Sequence, residues 1–129
     1  VPEGFDEMYT LDELDEQLAL ADYVFCVLPG TKETAGLLDE RRLRLMKKTA
    51  VLVNAGRGSL IDTAALEKVL AEGHLFGVAL DVTAPEPLPE SSPLWDMENV
   101  LVTPHNSFVG DNNDRCLTNV IFSNLTNNR

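Results

Sequence analysis

The sequence predicts an open α/β domain in which about four parallel strands form a sheet flanked by helices. Short apolar runs rich in β-forming residues alternate with amphipathic stretches of roughly ten residues. That alternation is typical of β-α-β units, because parallel neighbours need a long crossover connection. A length of 129 residues, with 44% hydrophobic and 24% charged residues, fits one globular domain. From the right-handed rule for crossovers, we expect helices on both faces of the sheet.

The four predicted strands are apolar runs that end at turn-forming or polar residues. The first ends before Pro29, and the fourth ends before Pro104. The first two are interpreted as buried strands because their apolar residues are continuous rather than alternating. The strands cover residues 23–28, 50–54, 76–81 and 100–103, and a proline-rich loop at 83–93 separates the last two.

Helices are predicted from apolar spacing and from end signals. In residues 11–21 the apolar positions recur at helical intervals, after Thr10 as a candidate N-cap. A second helix is predicted at 39–48, with basic residues near its C-terminal end. Asp62 is predicted to cap a third helix that runs to residue 72, and a fourth is predicted at about 110–125.

The charge balance is strongly acidic. Twenty-one acidic residues against ten basic ones give a net charge of −11, which disfavours nucleic acid as a partner. The five basic residues between Arg41 and Lys48 are interpreted as a solvated helix face rather than an anion-binding patch. No apolar run is long enough to span a membrane, and residues 1–4 do not resemble a signal peptide.

The cysteine pattern bears on location and on metals. Cys26 and Cys116 lie far apart, and their spacing is that of neither a disulfide framework nor a metal site. We therefore expect a reducing, cytoplasmic location and no metal cofactor.

Side chains suited to catalysis follow the predicted strands. Arg57 follows the second strand, Asp81 and Glu86 follow the third, and His105 follows the fourth. Ligands of parallel sheets bind beyond the carboxyl ends of the strands, so we expect these residues to gather at one edge. His105 can exchange a proton near neutral pH with Glu86 as its natural partner, and Arg57 can bind a carboxylate with its planar fork. Such a group suits hydride reduction of a 2-keto acid.

Each of these residues also has a structural interpretation. Arg57 could cap a turn or contact a phosphate, Glu86 could belong to a stiff surface loop, and Asp81 could cap a turn. Their convergence at one edge favours a functional role. Nucleophilic catalysis by serine or cysteine is not favoured, because the sequence has no nucleophile-elbow motif and no cysteine at this edge.

Several of these segments together resemble the NAD(P)-dependent D-isomer-specific 2-hydroxyacid dehydrogenases. They are VNAGRGSLID at 53–62, GVALDV at 77–82, PEPLP at 85–89, PLW at 93–95 and TPH at 103–105. The resemblance extends over about residues 10–110 and includes the stretch from Ala21 to Leu37.

This resemblance implies a Rossmann-type fold, NAD or NADP as cofactor, and interconversion of a small 2-keto acid and a D-2-hydroxy acid. Glyoxylate, hydroxypyruvate and pyruvate are the substrates it suggests. His105 would be the acid/base, Glu86 would orient it, and Arg57 would bind the substrate carboxylate and carbonyl. Asp81 would hold the nicotinamide amide. The implied cofactor-binding residues are Leu28, Pro29, Thr34, Ala55, Arg57, Asp81, His105 and Ser107.

The chain departs from the family pattern because it lacks the Gly-x-Gly-x-x-Gly turn that cradles cofactor phosphates. We therefore interpret residues 1–109 as the second half of the nucleotide-binding domain and 110–129 as a helix or tail leading to a substrate domain. This fragment of a larger two-domain fold is expected to be inactive alone, and its parent is expected to be a homodimer. Two alternatives stay open: a nucleotide-binding interaction module similar to dehydrogenase-like corepressors, and a truncated non-catalytic paralogue.

Overall fold

The computed structural model of the chain describes residues 1–107, 109–110 and 112–127. The strands are β1 (Tyr23–Cys26), β2 (Val51–Asn54), β3 (Gly77–Leu80) and β4 (Val100–Val102). The α-helices are α1 (Leu14–Leu20), α2 (Glu40–Leu45), α3 (Thr63–Ala71) and α4 (Asn113–Asn127). Short 3₁₀ helices cover Leu11–Glu13, Gly58–Leu60 and Pro93–Asp96.

The strands form one parallel sheet in the order β1-β2-β3-β4. This confirms the fold class that the sequence predicts. Cys26, Asn54, Leu80 and Val102 lie side by side at the carboxyl end of the sheet. The loops that follow all four strands therefore leave the sheet at the same edge. The expectation of no cysteine at this edge is wrong, although Cys26 is buried in the hydrophobic core.

The connecting helices pack on one face of the sheet, and the expectation of helices on both faces is wrong. Leu52 and Val78 point to the covered face and are buried. Phe25 and Leu101, in the neighbouring row across the sheet, are 66% and 60% exposed. Each strand is added beside the last in the same direction, so right-handed crossovers place every connecting helix on the same side. Only a reversal of strand order would move a helix to the other face.

The hydrophobic core lies between the covered face of the sheet and helices α1 to α3. Leu43 of α2 and Leu66 and Val69 of α3 are almost completely removed from solvent, and Leu18 is the buried residue of α1. Burying an aliphatic side chain of this kind contributes about 1.5–3 kcal/mol. The amphipathic spacing in the sequence therefore has its energetic basis in this layer.

The helix ends follow the predicted signals, although the second helix is shorter than predicted. Asp62 caps α3 by accepting a hydrogen bond from the Ala65 N–H at 3.1 Å, and Gly73 ends it with φ at 69°. The backbone becomes extended at Met46, with ψ at 150°, so α2 ends three residues before the predicted end at Lys48.

None of the helices in the described part of the chain is both long enough and apolar enough to cross a membrane.

The basic residues of α2 form ion pairs. Arg41 and Arg42 contact Asp15 at 2.5 Å and 2.8 Å, and Arg44 contacts Glu72 at 2.7 Å. These contacts support the interpretation of this segment as a solvated helix face and not as an anion-binding patch.

Candidate active site

His105 and Glu86 meet at the carboxyl edge of the sheet. His105 Nδ1 lies 2.6 Å from Glu86 Oε1, although 19 residues separate them along the chain. His105 follows β4 and Glu86 lies in the loop after β3, so the pairing of these two strands brings the residues together. Their side chains are 40% and 42% exposed, which leaves the pair accessible to a small molecule. Glu86 is the partner that the sequence predicts for His105, and the structure places the two residues in contact.

The backbone holds His105 in an uncommon conformation. Its φ of 52° lies in the left-handed region, which costs roughly 1–2 kcal/mol for a residue other than glycine. The His105 N–H donates to the Thr103 carbonyl at 3.0 Å, and the intervening Pro104 restricts the turn further. Such a conformation persists only where surrounding contacts stabilise it, and it is common at functional sites.

Asp81 is the buried carboxylate beneath this turn. It accepts hydrogen bonds from the Thr103 hydroxyl at 2.5 Å, the Asn106 N–H at 3.0 Å and the Ser107 N–H at 2.9 Å. The Thr103 hydrogen bond, together with those from Ser107 and Asn106, holds the pKa of Asp81 well below its usual range. The position of Asp81 at this edge follows from the sequence, whereas these contacts do not, because no residue pattern signals a left-handed histidine.

Arg57 lies on the loop after β2, where two close backbone approaches set its position. A Cβ on Gly56 would lie 2.9 Å from the Leu28 carbonyl oxygen. A Cβ on Gly58 would lie 1.9 Å from the Thr83 carbonyl oxygen. Only glycine lets this loop pass so close to the loops that follow β1 and β3. The Arg57 guanidinium donates to the Gly56 carbonyl at 2.8 Å. Through Gly58, the loop that carries Arg57 adjoins the loop after β3, which carries Glu86.

The loop after β1 contains most of the other sequence-predicted binding residues. Thr34 is buried, and its hydroxyl donates to the Pro29 carbonyl at 2.7 Å and accepts from the Thr31 N–H at 2.9 Å. Leu28 lies at the rim of this loop, and Ala55 is exposed at the end of β2. Thr34 therefore shapes the loop from within, while Leu28 contributes to its surface and Ala55 to the surface of the neighbouring loop after β2.

A cavity of about 640 Å³ lies beside the His105 imidazole. Leu88 and Trp95 contribute apolar parts of its wall, and Glu86 contributes a polar part. The Trp95 indole N–H donates to the Pro89 carbonyl at 2.9 Å, which orients the ring. The position of Trp95 at this wall does not follow from the sequence, because the sequence does not predict the 3₁₀ helix that carries this residue. The volume suits a small metabolite or part of a cofactor.

Comparison with known proteins identifies the family. Residues 2–107 match the family described as D-isomer specific 2-hydroxyacid dehydrogenase, NAD binding domain. The glyoxylate reductase of Thermofilum pendens is 50% identical over 93 residues, which cover 72% of this chain and 27% of that protein. An uncharacterized protein of Corynebacterium melassecola is 48% identical over 103 residues, which cover 80% of this chain and 34% of that protein. The chain therefore spans about a third or less of the length of these relatives.

Solved structures agree with this match. A D-isomer specific 2-hydroxyacid dehydrogenase from Xanthobacter autotrophicus, solved with NADPH and MES, has a TM-score of 0.73 at 45% identity, covering 76% of this chain and 32% of that one. The NADPH-dependent glyoxylate/hydroxypyruvate reductase of Sinorhizobium meliloti has a TM-score of 0.78 at 36% identity, covering 86% and 57%. Because the family match covers most of the sequence and the parallel sheet agrees with these structures, the chain belongs to the D-isomer specific 2-hydroxyacid dehydrogenase family, within its NAD-binding domain.

Proposed function

We propose that the protein to which this chain belongs interconverts a 2-keto acid and a D-2-hydroxy acid, with NAD or NADP as hydride carrier. The observation that carries this proposal is the 2.6 Å contact between His105 Nδ1 and Glu86 Oε1 at the carboxyl edge of the sheet. Relatives named glyoxylate reductase, and the glyoxylate/hydroxypyruvate reductase of Sinorhizobium meliloti, support glyoxylate or hydroxypyruvate as substrate. Pyruvate is a third substrate that the family resemblance suggests.

His105 is the proton donor when the keto acid is reduced. Its Nδ1 faces Glu86, so Nε2, on the opposite side of the ring, is the atom that delivers a proton to the keto oxygen. The Glu86 carboxylate orients the ring by accepting a hydrogen bond from Nδ1, which leaves Nε2 directed away from Glu86. When the hydroxy acid is oxidised, Nε2 takes the hydroxyl proton back.

Arg57 binds the acid end of the substrate. A guanidinium can donate two parallel hydrogen bonds to a carboxylate, which orients the substrate as well as attracting it. In a chain with a net charge of −11, this cation gives an anionic substrate a local partner. Holding the carboxylate and the neighbouring carbonyl in one plane presents the keto oxygen to His105.

The residues at this edge fit the nicotinamide end of the cofactor. A carboxamide has both N–H donors and a carbonyl acceptor, and the Asp81 carboxylate and the Ser107 hydroxyl that hydrogen-bonds to it offer complementary groups. Leu28 and Ala55 add apolar surface on the neighbouring loops. When bound, the nicotinamide supplies the hydride in reduction and accepts it in oxidation.

The domain organisation is also a proposal. Residues 1–109 correspond to the second half of a nucleotide-binding domain, and 110–129 to a connection towards a substrate domain. The sequence lacks the glycine-rich turn that holds phosphates, which supports weak dinucleotide binding and no turnover by this segment alone. The family resemblance supports a homodimer. Cys26 and Cys116 are both free thiols, which supports a reducing, cytoplasmic location.

The test of this function is kinetic, in the full-length protein that carries this segment. His105→Gln is expected to lower kcat by about 100- to 10,000-fold, because the proton donor is lost, with a far smaller change in KM for the keto acid. Arg57→Ala is expected to act mainly by raising that KM, since it removes the group that binds the substrate carboxylate.

The matched control is His74→Gln, which changes the other of the two histidines. His74 Nε2 lies 3.0 Å from the Met46 carbonyl, away from the carboxyl edge, so this variant is expected to keep wild-type kcat. A His105→Gln enzyme with near-normal kcat would refute the role of His105. A folded wild-type protein that oxidises or reduces none of the proposed acids, with either cofactor, would refute the function itself.

A further inference from the structure

The turn that carries His105 is closed onto a single carboxylate. Asp81 Oδ1 accepts from the Thr103 hydroxyl at 2.5 Å and from the Asn106 N–H at 3.0 Å. Asp81 Oδ2 accepts from the Ser107 N–H at 2.9 Å. Asp81 directly follows β3 and is only 8% exposed, so water competes little for these hydrogen bonds. The carboxylate therefore binds the chain on both sides of His105, at Thr103 before it and at Asn106 and Ser107 after it.

The two backbone donors depend on the conformation of His105. Successive N–H groups converge on one anion where the chain passes through a left-handed residue, an arrangement known as a nest. His105, with φ at 52°, is that residue, and the Asn106 and Ser107 N–H groups after it both reach Asp81. The carboxylate and the left-handed conformation therefore stabilise each other. The same conformation places His105 Nδ1 at hydrogen-bond distance from Glu86.

We propose that Asp81 is a positioning residue for His105: its carboxylate holds the His105 backbone in the left-handed conformation and thereby sets the contact with Glu86. The catalytic meaning of this inference rests on the proposed function, whereas its geometric part does not require activity. If the carboxylate only supported the sheet, replacing it would leave the tautomer of the His105 imidazole unchanged. A carboxylate that only bound cofactor would have no effect in the cofactor-free chain.

The first test is ¹⁵N NMR of the imidazoles in the cofactor-free chain, at a pH where the rings are neutral. The sequence has two histidines, so His74 is an internal reference for the fold. In the wild type we expect the His105 proton on Nδ1, where it is donated to Glu86. Asp81→Asn keeps the side-chain shape but turns an amide N–H towards one of the groups that donate to Asp81. We expect the His105 resonances to shift towards the Nε2–H tautomer, with His74 unchanged.

Substitutions at Thr103 test the same inference with less risk to the fold. Thr103→Val removes the hydroxyl that donates to Asp81 and leaves both backbone donors, so we expect a smaller shift in the same direction. Thr103→Ser keeps the hydroxyl and is the matched control, expected to give the wild-type spectrum. His105 resonances that stay at their wild-type positions in both Asp81→Asn and Thr103→Val would overturn the proposal.

A kinetic arm separates positioning from cofactor binding in the full-length enzyme. Asp81→Asn is expected to lower kcat about 100-fold, as small misplacements of catalytic groups do, and to raise the Kd for NAD(P)H by a smaller factor. A weaker Kd with unchanged kcat and an unchanged His105 spectrum would assign Asp81 to the cofactor alone and overturn the proposal. If the wild-type protein has no dehydrogenase activity, the proposed function fails, while the NMR result still decides the positioning role.

Discussion

Gly58 is the point where the loop of Arg57 meets the loop that leads to Glu86, so Gly58→Ala tests how tightly the site is built. A Cβ there would lie 1.9 Å from the Thr83 carbonyl oxygen, 2.1 Å from its carbonyl carbon and 2.8 Å from the Ala84 nitrogen. All three are backbone atoms, so no side-chain rotation relieves the clash. The two loops must separate by about 1 Å to reach the 3.0 Å below which real Cβ contacts are essentially never found.

The cost of that separation follows from the burial of the site. Adding a methyl group to a packed interior costs typically about 1–3 kcal/mol, and we expect the upper end because rigid backbone opposes it. A domain of this size loses roughly 3–5 °C in Tm for each kcal/mol, so the Tm of Gly58→Ala should fall by about 10 °C. Gly77→Ala is the matched control. A Cβ at Gly77 would lie 3.5 Å from the Asn99 carbonyl oxygen, an ordinary contact, so stability should stay unchanged or rise slightly.

Two measurements decide the outcome. Urea unfolding followed by far-UV circular dichroism gives the free energy of unfolding, and imidazole NMR reports whether the His105–Glu86 contact survives. Because Thr83 lies in the loop that carries Glu86, we expect Gly58→Ala to weaken that contact and Gly77→Ala to leave it intact. A Gly58→Ala chain within about 0.5 kcal/mol of the wild type would refute the close approach on which this reasoning depends.

Two further predictions concern titratable groups. Burial raises the pKa of the Cys26 thiol to about 11. Iodoacetamide at about pH 8 should therefore modify the exposed Cys116 and spare Cys26 in the folded chain. Equal labelling of the two cysteines, measured by mass spectrometry, would contradict this. Hydrogen bonds from Arg41 and Arg42 lower the pKa of Asp15 to about 2. A folded-state pKa below the unfolded value of about 3.9 contributes stability that is lost as the pH falls, so the urea midpoint should drop between about pH 4 and pH 2. Asp15→Asn should weaken this drop, and the same pH dependence in both proteins would exclude the ion pair as its cause.

The positions of the strands could be predicted from the sequence, whereas the covered face of the sheet could not. Short apolar runs bounded by turn residues have few alternatives to a strand. The face on which helices pack depends instead on the order in which strands join the sheet, which no single segment encodes. Phe25 and Leu101 are as apolar as Leu52, yet they lie on the open face. Hydropathy does not distinguish the two faces of a strand that is apolar throughout.

The candidate site also has one part that the sequence predicts and another that it does not. His105 and Glu86 could be expected to converge, because the carboxyl ends of neighbouring parallel strands meet at one edge. The conformation of His105 could not be expected, because a positive φ in a residue other than glycine depends on tertiary contacts, here those of Asp81. A glycine such as Gly58 marks a turn or a close approach, and only the position of Thr83 shows which.

The distribution of charge links the loop at 56–58 to the binding role that we propose for Arg57. The chain carries a net charge of −11, and Arg41, Arg42 and Arg44 in α2 each contact a carboxylate. Among the residues that the structure describes, Arg57 forms no ion pair and donates instead to the Gly56 carbonyl, so its charge is available to an anion at the edge of the sheet. Salt screens charges over roughly 8–10 Å, so the charged groups nearest to a bound carboxylate affect it most. If Arg57 binds the substrate carboxylate as we propose, a loop displaced by the clash at Gly58 would carry that cation away from it, and binding would weaken although the guanidinium itself is intact.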